Sequence, residues 1–453
     1  MHPALESIRQ VTAGSPFEGD LWLVGGAVRD TLLGRPQKDD FDLVTRGSSS
    51  ELAQLLRERG ISDIEPVVYE RFGTALARVR GCDIEIVTAR RESYSEDSRK
   101  PEVQAASYLE DAERRDFTLN TLRQNLHTGE LSDILGTGLG DLHSGLLRTP
   151  LEPSATFRDD PLRMLRAVRF RWRFGLTPVP GLYEAVAATA ERLSIISSER
   201  IRDELVKMLC DASAPSAMSD LMRLGLMGQF APELIPMVGC EQGSYHHLDV
   251  WDHTLLVLEK VGPDDLILSF AALLHDVGKP PTRFVDADGN TRFFTHEEVG
   301  RGMAVDILRR LKFPEKLVFQ VARLVKNHMR LGSSPVFSAA AGRRLLRDME
   351  EDSDRLINLV DADSRSLRPG VKALNLDPIR DQLKAVSEAT PVTSLRSPLS
   401  GQEIMQIAGI CAGPEVGKLK AYLLEKVLDG DLQPDDREKA KEYLELVISE
   451  LPA

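Results

Sequence analysis

The sequence predicts an α+β chain: a small mixed sheet with its helices first, then α-helix almost to the end. Three observations carry this reading. Residues 1–150 interleave short β-like runs, Leu21–Val24, Phe41–Val44 and Asp83–Thr88, with amphipathic stretches of helical period. Beyond about residue 150, strand signals nearly vanish. Helical periodicity, punctuated by Pro and Gly, then dominates the rest of the 453 residues. At roughly 150 residues per domain the length suits about three domains. With 42% hydrophobic and 28% charged residues, the chain has material for more than one core.

Several function classes are disfavoured at once. MHPALESIRQ lacks a basic start followed by an apolar stretch, so no secretory signal is expected. No apolar run approaches the ~18 residues of a spanning helix, so no membrane partner is expected. Cys82, Cys210, Cys240 and Cys411 are scattered without metal-type spacing, and free thiols in a reducing cytoplasm are the simplest reading. The net charge of −13 argues against a generally sticky nucleic-acid binder. A basic patch can still act locally, because salt screens charge beyond roughly 10 Å. FRDDPLRMLRAVRFRWRFG (157–175) is the obvious place for one, with six arginines against Asp159 and Asp160.

In LWLVGGAVRDTLLG (21–34), LWLV reads as a buried strand and VRDTLL as a helix closed by Gly34. Gly25 and Gly26 between them let backbone N–H groups approach a phosphate. Arg29, in the first turn, reaches for the same anion. In DFDLVT, Asp40 and Asp42 are two apart on a strand and share a face, with Phe41 and Leu43 on the other. Glu85, on the alternating strand CDIEIVT, is placed to join them. Three carboxylates on adjacent strands suit Mg²⁺, and two such ions ~3.5–4 Å apart would activate an attacking hydroxyl and stabilise a leaving phosphate.

LVGGAVRDTLLG followed by KDDFDLVT resembles the signature of the class II tRNA nucleotidyltransferases, the CCA-adding enzymes, and of the related bacterial poly(A) polymerases. RRDFTLNTL (114–122) is similar to their ribose-contacting motif, which implies that role for Arg114, Arg115, Asp116 and Asn120. ISSERIRDELVKML (196–209) resembles a neck-helix motif, and DILGTGLGDL (133–142) a flexible hinge, although Asp133 and Asp141 stand one residue further apart than that pattern.

DDPLR (159–163) resembles the family's Glu-Asp-x-x-Arg base-reading motif, with Asp159 in place of Glu. Its chemistry can be argued from the side chains. Asp160 and Arg163, three apart at a helix start, are expected to share a face. Ionised Asp only accepts hydrogen bonds and Arg only donates. Cytosine and adenine offer an amine donor beside a ring-nitrogen acceptor; uracil and guanine reverse the order. The pair therefore suits CTP and ATP, and a mismatched buried polar group costs about 1–3 kcal/mol. Arg166, Arg169 and Arg173 recur at helical spacing, opposite Leu165, Val168 and Trp172. By default that stripe is a solvated face; here it is a candidate for nucleotide or RNA phosphates.

Six of the nine histidines fall between 246 and 328. His253, the vicinal pair His275–Asp276 with Gly278 ending its helix, and the distant Asp363 resemble the ligand set of the HD phosphohydrolase superfamily. Imidazole mixed with carboxylate suits a transition metal such as Ni²⁺ or Mn²⁺. His246, His247, His296 and His328 are weaker candidates for a second shell or a substrate phosphate.

Together these readings give a nucleotidyltransferase head (1–150), a helical neck with the base-reading motif (151–235), a helical HD body (236–385) and a helical tail (386–453), with SPLSGQE (397–403) as a linker. The resemblance implies transfer of CMP and AMP from CTP and ATP to tRNA without a nucleic-acid template, with Mg²⁺ at Asp40 and Asp42 and support from Glu85. Alternatives are an enzyme adding only CC or only A, a poly(A) polymerase, and a metal phosphohydrolase whose head merely binds RNA. The segment 91–113, which would bear on the first, carries no legible pattern, and no oligomeric state is implied.

Overall fold

β1 (Leu21–Val24) is buried at all four positions and lies inside a seven-stranded sheet. In the computed structural model all residues are described except 37–38, 96–97, 244–245, 332–336, 390–394 and 451–453; for the rest of 91–103 and for 449–450 only the backbone is. The other strands are β2 (Asp40–Thr45), β3 (Val67–Tyr69), β4 (Thr74–Val79) and β5 (Cys82–Thr88). After a separate antiparallel hairpin, β6 (Arg90–Ser95) with β7 (Ser98–Ala105), come β8 (Arg123–Asn125) and β9 (Leu131–Ser132). The order is β3-β4-β5-β2-β1-β8-β9. β2 and β5 run parallel; every other pairing is antiparallel, so the sheet is mixed, as expected.

Side-chain alternation sets which face carries the acids. Phe41, Leu43, Ile84 and Ile86 are buried on one face. Burying such side chains stabilises by roughly 1.5–3 kcal/mol each, and a one-residue slip would put carboxylates there instead. Asp40, Asp42 and Glu85 are therefore held on the other face, with Asp42 in register with Glu85.

The chain divides into two compact units, Met1–Pro232 and Glu233–Ala453. In the first, the arginine-rich stretch forms a helix, Leu162–Phe174, ended by Gly175 in the left-handed region. Leu165 and Val168 are fully buried. The Asp220 carboxylate accepts from Arg171 Nη1 (2.8 Å), Trp172 Nε1 (2.7 Å) and the Tyr183 hydroxyl (3.0 Å). This knot anchors one side of the helix and fixes its rotation.

Among its described residues the second unit is helical, with one exception that the sequence reading did not include. Arg283–Val285 and Thr291–Phe293 form an antiparallel hairpin. Its signal was present: Asp286 accepts from the amides of Asp288 and Asn290, and Gly289 takes a positive φ, the chemistry of an Asp-Gly turn. Gly278 does not end the helix before it. That helix, Leu266–Leu274, stops at the His275 cap, and Gly278 has an ordinary φ of −79°. Glycine is needed there because a Cβ would collide with the His296 carbonyl and lie 2.6 Å from Gly300 N. The helix Asp377–Ala389 runs through position 386, where a tail was expected to begin. SPLSGQE is more than a linker: Ser400 and Glu403 form a capping box that starts the helix Gly401–Ala408. Among the described residues no helix is long and apolar enough to cross a membrane.

Candidate functional site

The strand-to-helix turn of the first unit opens a cavity of about 360 Å³. Gly25 takes φ +70°, and a Cβ on it would sit 3.2 Å from Asp42 Oδ2, so both backbone and space call for glycine. The helix that follows, Gly26–Leu32, is capped at Leu33, with Gly34 at φ +65° beyond it. Asp40 and Asp42 line the cavity with Gly26, Arg29, Arg115, Asp116, Asn120, Arg166 and Arg169. Glu85 stands beside Asp42 in the sheet but outside that lining.

Asp42 meets solvent through the open mouth while protein atoms crowd its other sides. That crowding comes first, then the Glu85 carboxylate, opposed by Arg115 and reinforced by Asp40; together they push the Asp42 carboxyl up to about 6. Packed carboxylates are a donor set suited to a hard divalent cation. Around them the cavity gathers six cationic side chains, the five predicted arginines Arg29, Arg115, Arg166, Arg169 and Arg173 with Lys207, against four carboxylates including Asp30. The net charge of −13 thus does not describe this site.

The basic stripe is not a solvated face. Arg166 Nε donates to Asp116 Oδ2 (2.8 Å). Arg169, buried, donates to Glu204 Oε2 (2.6 Å), a buried acid of the 196–209 motif that the sequence reading left unassigned. Arg29 is also buried. It donates to Asn120 Oδ1 (2.7 Å) and Asp30 Oδ1 (2.8 Å), and its guanidinium lies 4.4 Å from the Phe174 ring centroid. Phe170 and Phe174, one turn apart on the arginine helix, line the cavity too. Sequence reading missed them, although aromatics interleaved with arginines were visible in RFRWRF.

Asp116 is the hub of this network. Its Oδ1 accepts from Phe117 N and Asn120 Nδ2, both 2.8 Å, and Oδ2 serves Arg166. Burial raises its pKa, but Arg166 and the Asn120 amide outweigh burial and hold it at about 2, against an ordinary 3.8. A depressed carboxyl stabilises the fold above its unfolded pKa and loses that contribution as pH falls through the folded value. Unfolding by denaturant should therefore show the first unit weakening between about pH 4 and 2. Asp116→Asn should cost about 2 kcal/mol at pH 7 and far less near pH 2. An equal cost at both pH values would remove Asp116 from this role.

Other predicted residues are not gathered. Arg114 does not line the cavity; its Nε donates to Asp111 Oδ1 (3.0 Å) and to Arg90 O (3.1 Å). Asp160 and Arg163 do not form the shared helix face expected of them. Asp160 caps the preceding helix, Pro153–Asp159, in extended conformation, and Pro161 separates it from the next. Its Oδ2 accepts from Arg200 Nη2 (2.9 Å). Arg163, buried, donates to the carbonyls of Thr156 and Arg114. The 133–142 segment is tied at both ends. Asp133 Oδ2 accepts from Leu139 N (2.9 Å), and Asp141 Oδ2 from Thr118 Oγ1 (2.7 Å). A Cβ on Gly138 would lie 2.7 Å from Thr118 O.

The second unit holds the histidine cluster. His253, on the helix Val250–Val261, places Nε2 2.9 Å from Asp363 Oδ1 on the helix Ser353–Ser364. His275 Nε2 lies 3.0 Å from Asp276 Oδ2. His275 Nδ1 faces Ala272 O at 2.8 Å, so Nδ1 carries the proton and Nε2 presents a lone pair. That buried Nε2 has no hydrogen-bond partner. An orphaned imidazole nitrogen beside the buried Asp276 and the half-buried Asp363 fits a transition-metal ligand set. His246 lies edge-on to His253, and burial first, then Lys279, lowers it to about 4.

Fold and site define a nucleotidyltransferase head followed in sequence by an HD-type body. The family described as Poly A polymerase head domain matches residues 21–148, the probable RNA and SrmB-binding site of polymerase A matches 175–237, and the HD domain matches 243–366. The A-adding tRNA nucleotidyltransferase of Deinococcus radiodurans is 34% identical over 427 residues, covering 90% of this chain and 92% of the relative. The CC-adding tRNA nucleotidyltransferase of Thermus thermophilus is 32% identical over 436 residues, covering 94% and 93%. The chain belongs to the tRNA nucleotidyltransferase family. Its fold is also that of the Bacillus stearothermophilus CCA-adding enzyme in complex with CTP, with a TM-score of 0.70 at 22% identity over 99% and 98% of the two chains.

Proposed function

We propose that the head (1–150) transfers CMP and AMP from CTP and ATP to tRNA 3′ ends without a nucleic-acid template, in the cytoplasm. The observation that supports this most is the pairing of Asp40 and Asp42 on one strand face, with Glu85 in register, beside a cavity of six cations. Mg²⁺ held by Asp40 and Asp42 would activate the attacking 3′-OH and offset charge on the α-phosphate. The glycine turn lets backbone N–H groups approach the triphosphate. Arg29 and Arg115 flank the same space. Asp116 and Asn120 orient the ribose, and Arg114 fixes that segment through Asp111 and Arg90. Phe170 and Phe174 offer ring faces for a base. Arg166 and Arg169 complete the cationic wall.

In the neck (151–235), Asp160 and Arg163 read the base edge once Arg163 exchanges its carbonyl partners for the nucleotide. Arg163→Ala should then raise UTP and GTP incorporation about tenfold relative to CTP, the effect of roughly 1.4 kcal/mol within the range for one buried polar mismatch. Misincorporation on a tRNA lacking its end measures this, and unchanged selectivity would reject the base-reading role.

In the body (236–385), His253, His275, Asp276 and Asp363 hold a transition ion such as Ni²⁺ or Mn²⁺ for phosphoester hydrolysis. A second reading concerns the product. Two relatives that align over at least nine tenths of the chain are an A-adding and a CC-adding enzyme, which favours partial addition as the alternative. They also favour tRNA over a poly(A) tail as the product's site. Labelled CTP and ATP with tRNAs ending before C, after CC and after CCA decide between full and partial addition. No transfer to any of them would leave the head as an RNA-binding module beside a phosphohydrolase.

A further inference from the structure

We infer that the sheet face beyond Glu85, formed by Leu76, Val67 and Tyr69, seats the 3′-terminal nucleoside of the acceptor RNA. The inference rests on the reading of the head as a transferase to RNA 3′ ends, and it locates the second substrate of that reaction. Strand register carries it. Asp42 pairs with Glu85, Glu85 with Leu76, and Leu76 with Val67. Such partners present their side chains to one face of a sheet. The four residues therefore form a single row across β2, β5, β4 and β3, at roughly 5 Å per step. The row starts at the carboxylates and ends at β3, the edge strand.

The far half of that row is apolar and open. Leu76 is 38% exposed, Val67 45%, and Tyr69, further along β3, 46%. Ala75 and Ala77, either side of Leu76, are buried on the opposite face. A sheet with one solvated face ordinarily carries polar side chains there, and an exposed apolar patch marks a contact surface. Polar rows bound the patch. On one side Thr74, the partner of Tyr69, accepts a hydrogen bond from Arg90 Nη1 (2.9 Å) at the base of the β6–β7 hairpin. On the other, Arg78 Nε lies 3.6 Å from Asp83 Oδ1, in the row of Asp40.

The reaction fixes what occupies it. The 3′ oxygen bonds to the α-phosphorus and loses its proton to water as the bond to pyrophosphate breaks, with attacking and leaving oxygens in line. The six cations suited to pyrophosphate line the cavity with Asp40 and Asp42, while Glu85 lies outside that lining. With pyrophosphate on the cavity side of the two aspartates, the hydroxyl arrives from the opposite side, over Glu85 and Leu76. A seat there has to accept a different terminal nucleoside after each addition. Uncharged side chains and one aromatic ring meet that need, because stacking on a base face is sequence-tolerant. The neighbouring Asp83 and Glu85 repel phosphate, so the patch takes base and ribose rather than the charged backbone.

The test uses the full chain and a tRNA acceptor stem whose 3′-terminal nucleoside is 4-thiouridine, irradiated with Mg²⁺ and the non-transferable α,β-methylene analogue of CTP. Peptide mass spectrometry should place the crosslink within residues 67–78. Crosslinks confined to other segments would overturn the seat. In steady-state transfer, Leu76→Asp with Val67→Asp should raise the KM for the RNA about tenfold, the equivalent of roughly 1.4 kcal/mol. The KM for CTP should move by no more than about twofold. An unchanged KM for the RNA, or equal rises for both substrates, would overturn the proposal. So would a change of oligomeric state in sedimentation with the KM for the RNA unmoved, which would assign the face to a second copy. No transfer by the unaltered chain to any acceptor would overturn the transferase reading itself, and the seat with it. The crosslink uses the unaltered chain, so it decides the proposal even where the substituted chain does not fold.

Discussion

Replacing Asp40 or Asp42 with alanine is expected to lower nucleotide addition by at least roughly 10³-fold, the equivalent of about 4 kcal/mol of transition-state stabilisation. Affinity for tRNA should stay largely unchanged, because neither carboxylate donates to phosphate and the cationic wall is untouched. The physical basis is positional. Both acids sit on the sheet face opposite Phe41 and Leu43, so alanine at either position leaves that buried face intact. The raised pKa of Asp42, about 6, adds a pH signature. Metal ligation requires the ionised carboxylate, so the Mg²⁺ needed for half-maximal transfer should climb as pH falls through about 6. Single-turnover transfer with a labelled tRNA, read beside filter binding, measures both. Either variant retaining more than a small fraction of wild-type transfer would remove the two-carboxylate assignment.

The double change His275→Ala with Asp276→Ala should abolish transition-metal-dependent hydrolysis of phosphoesters, such as 2′,3′-cyclic or terminal phosphates, while CCA-end synthesis continues. Both residues are buried, and His275 Nε2 has no hydrogen-bond partner to lose. The two centres differ in donor chemistry: carboxylate oxygens suit Mg²⁺, whereas imidazole with carboxylate suits softer ions. Chelation followed by Mg²⁺ alone should restore transfer, and a transition metal should restore hydrolysis. A wild-type chain that binds no transition metal and hydrolyses none of a panel of phosphoesters would reduce the body to a scaffold.

What was legible from the residues follows periodicity and spacing. The alternation of Asp40-Phe41-Asp42-Leu43 determined which acids share a face, because a strand has a side-chain period of two. Gly25-Gly26 between an apolar run and an amphipathic one determined the turn. These are local facts, and local chain geometry decides them. His253, the His275–Asp276 pair and Asp363 are singled out only by their resemblance to the HD ligand set, because His253 and Asp363 stand 110 positions apart.

Tertiary structure decided everything that depends on which distant groups share a charge. Glu204 meets Arg169 across 35 positions, and Asp116 meets Arg166 across 50, so a stripe that reads as solvent-facing became a cavity wall held in place by ion pairs. Asp160 and Arg163 look like a helix pair in sequence, yet Pro161 breaks the helix between them and each bonds elsewhere. His296 and His328 lie 32 positions apart and read singly as weak candidates. Only folding sets their Nε2 atoms at 3.3 Å and turns Asp276 Oδ1 toward both. Periodicity fixes direction along one element, whereas electrostatic partnership falls off within a few ångströms and is set by packing between elements remote in the chain.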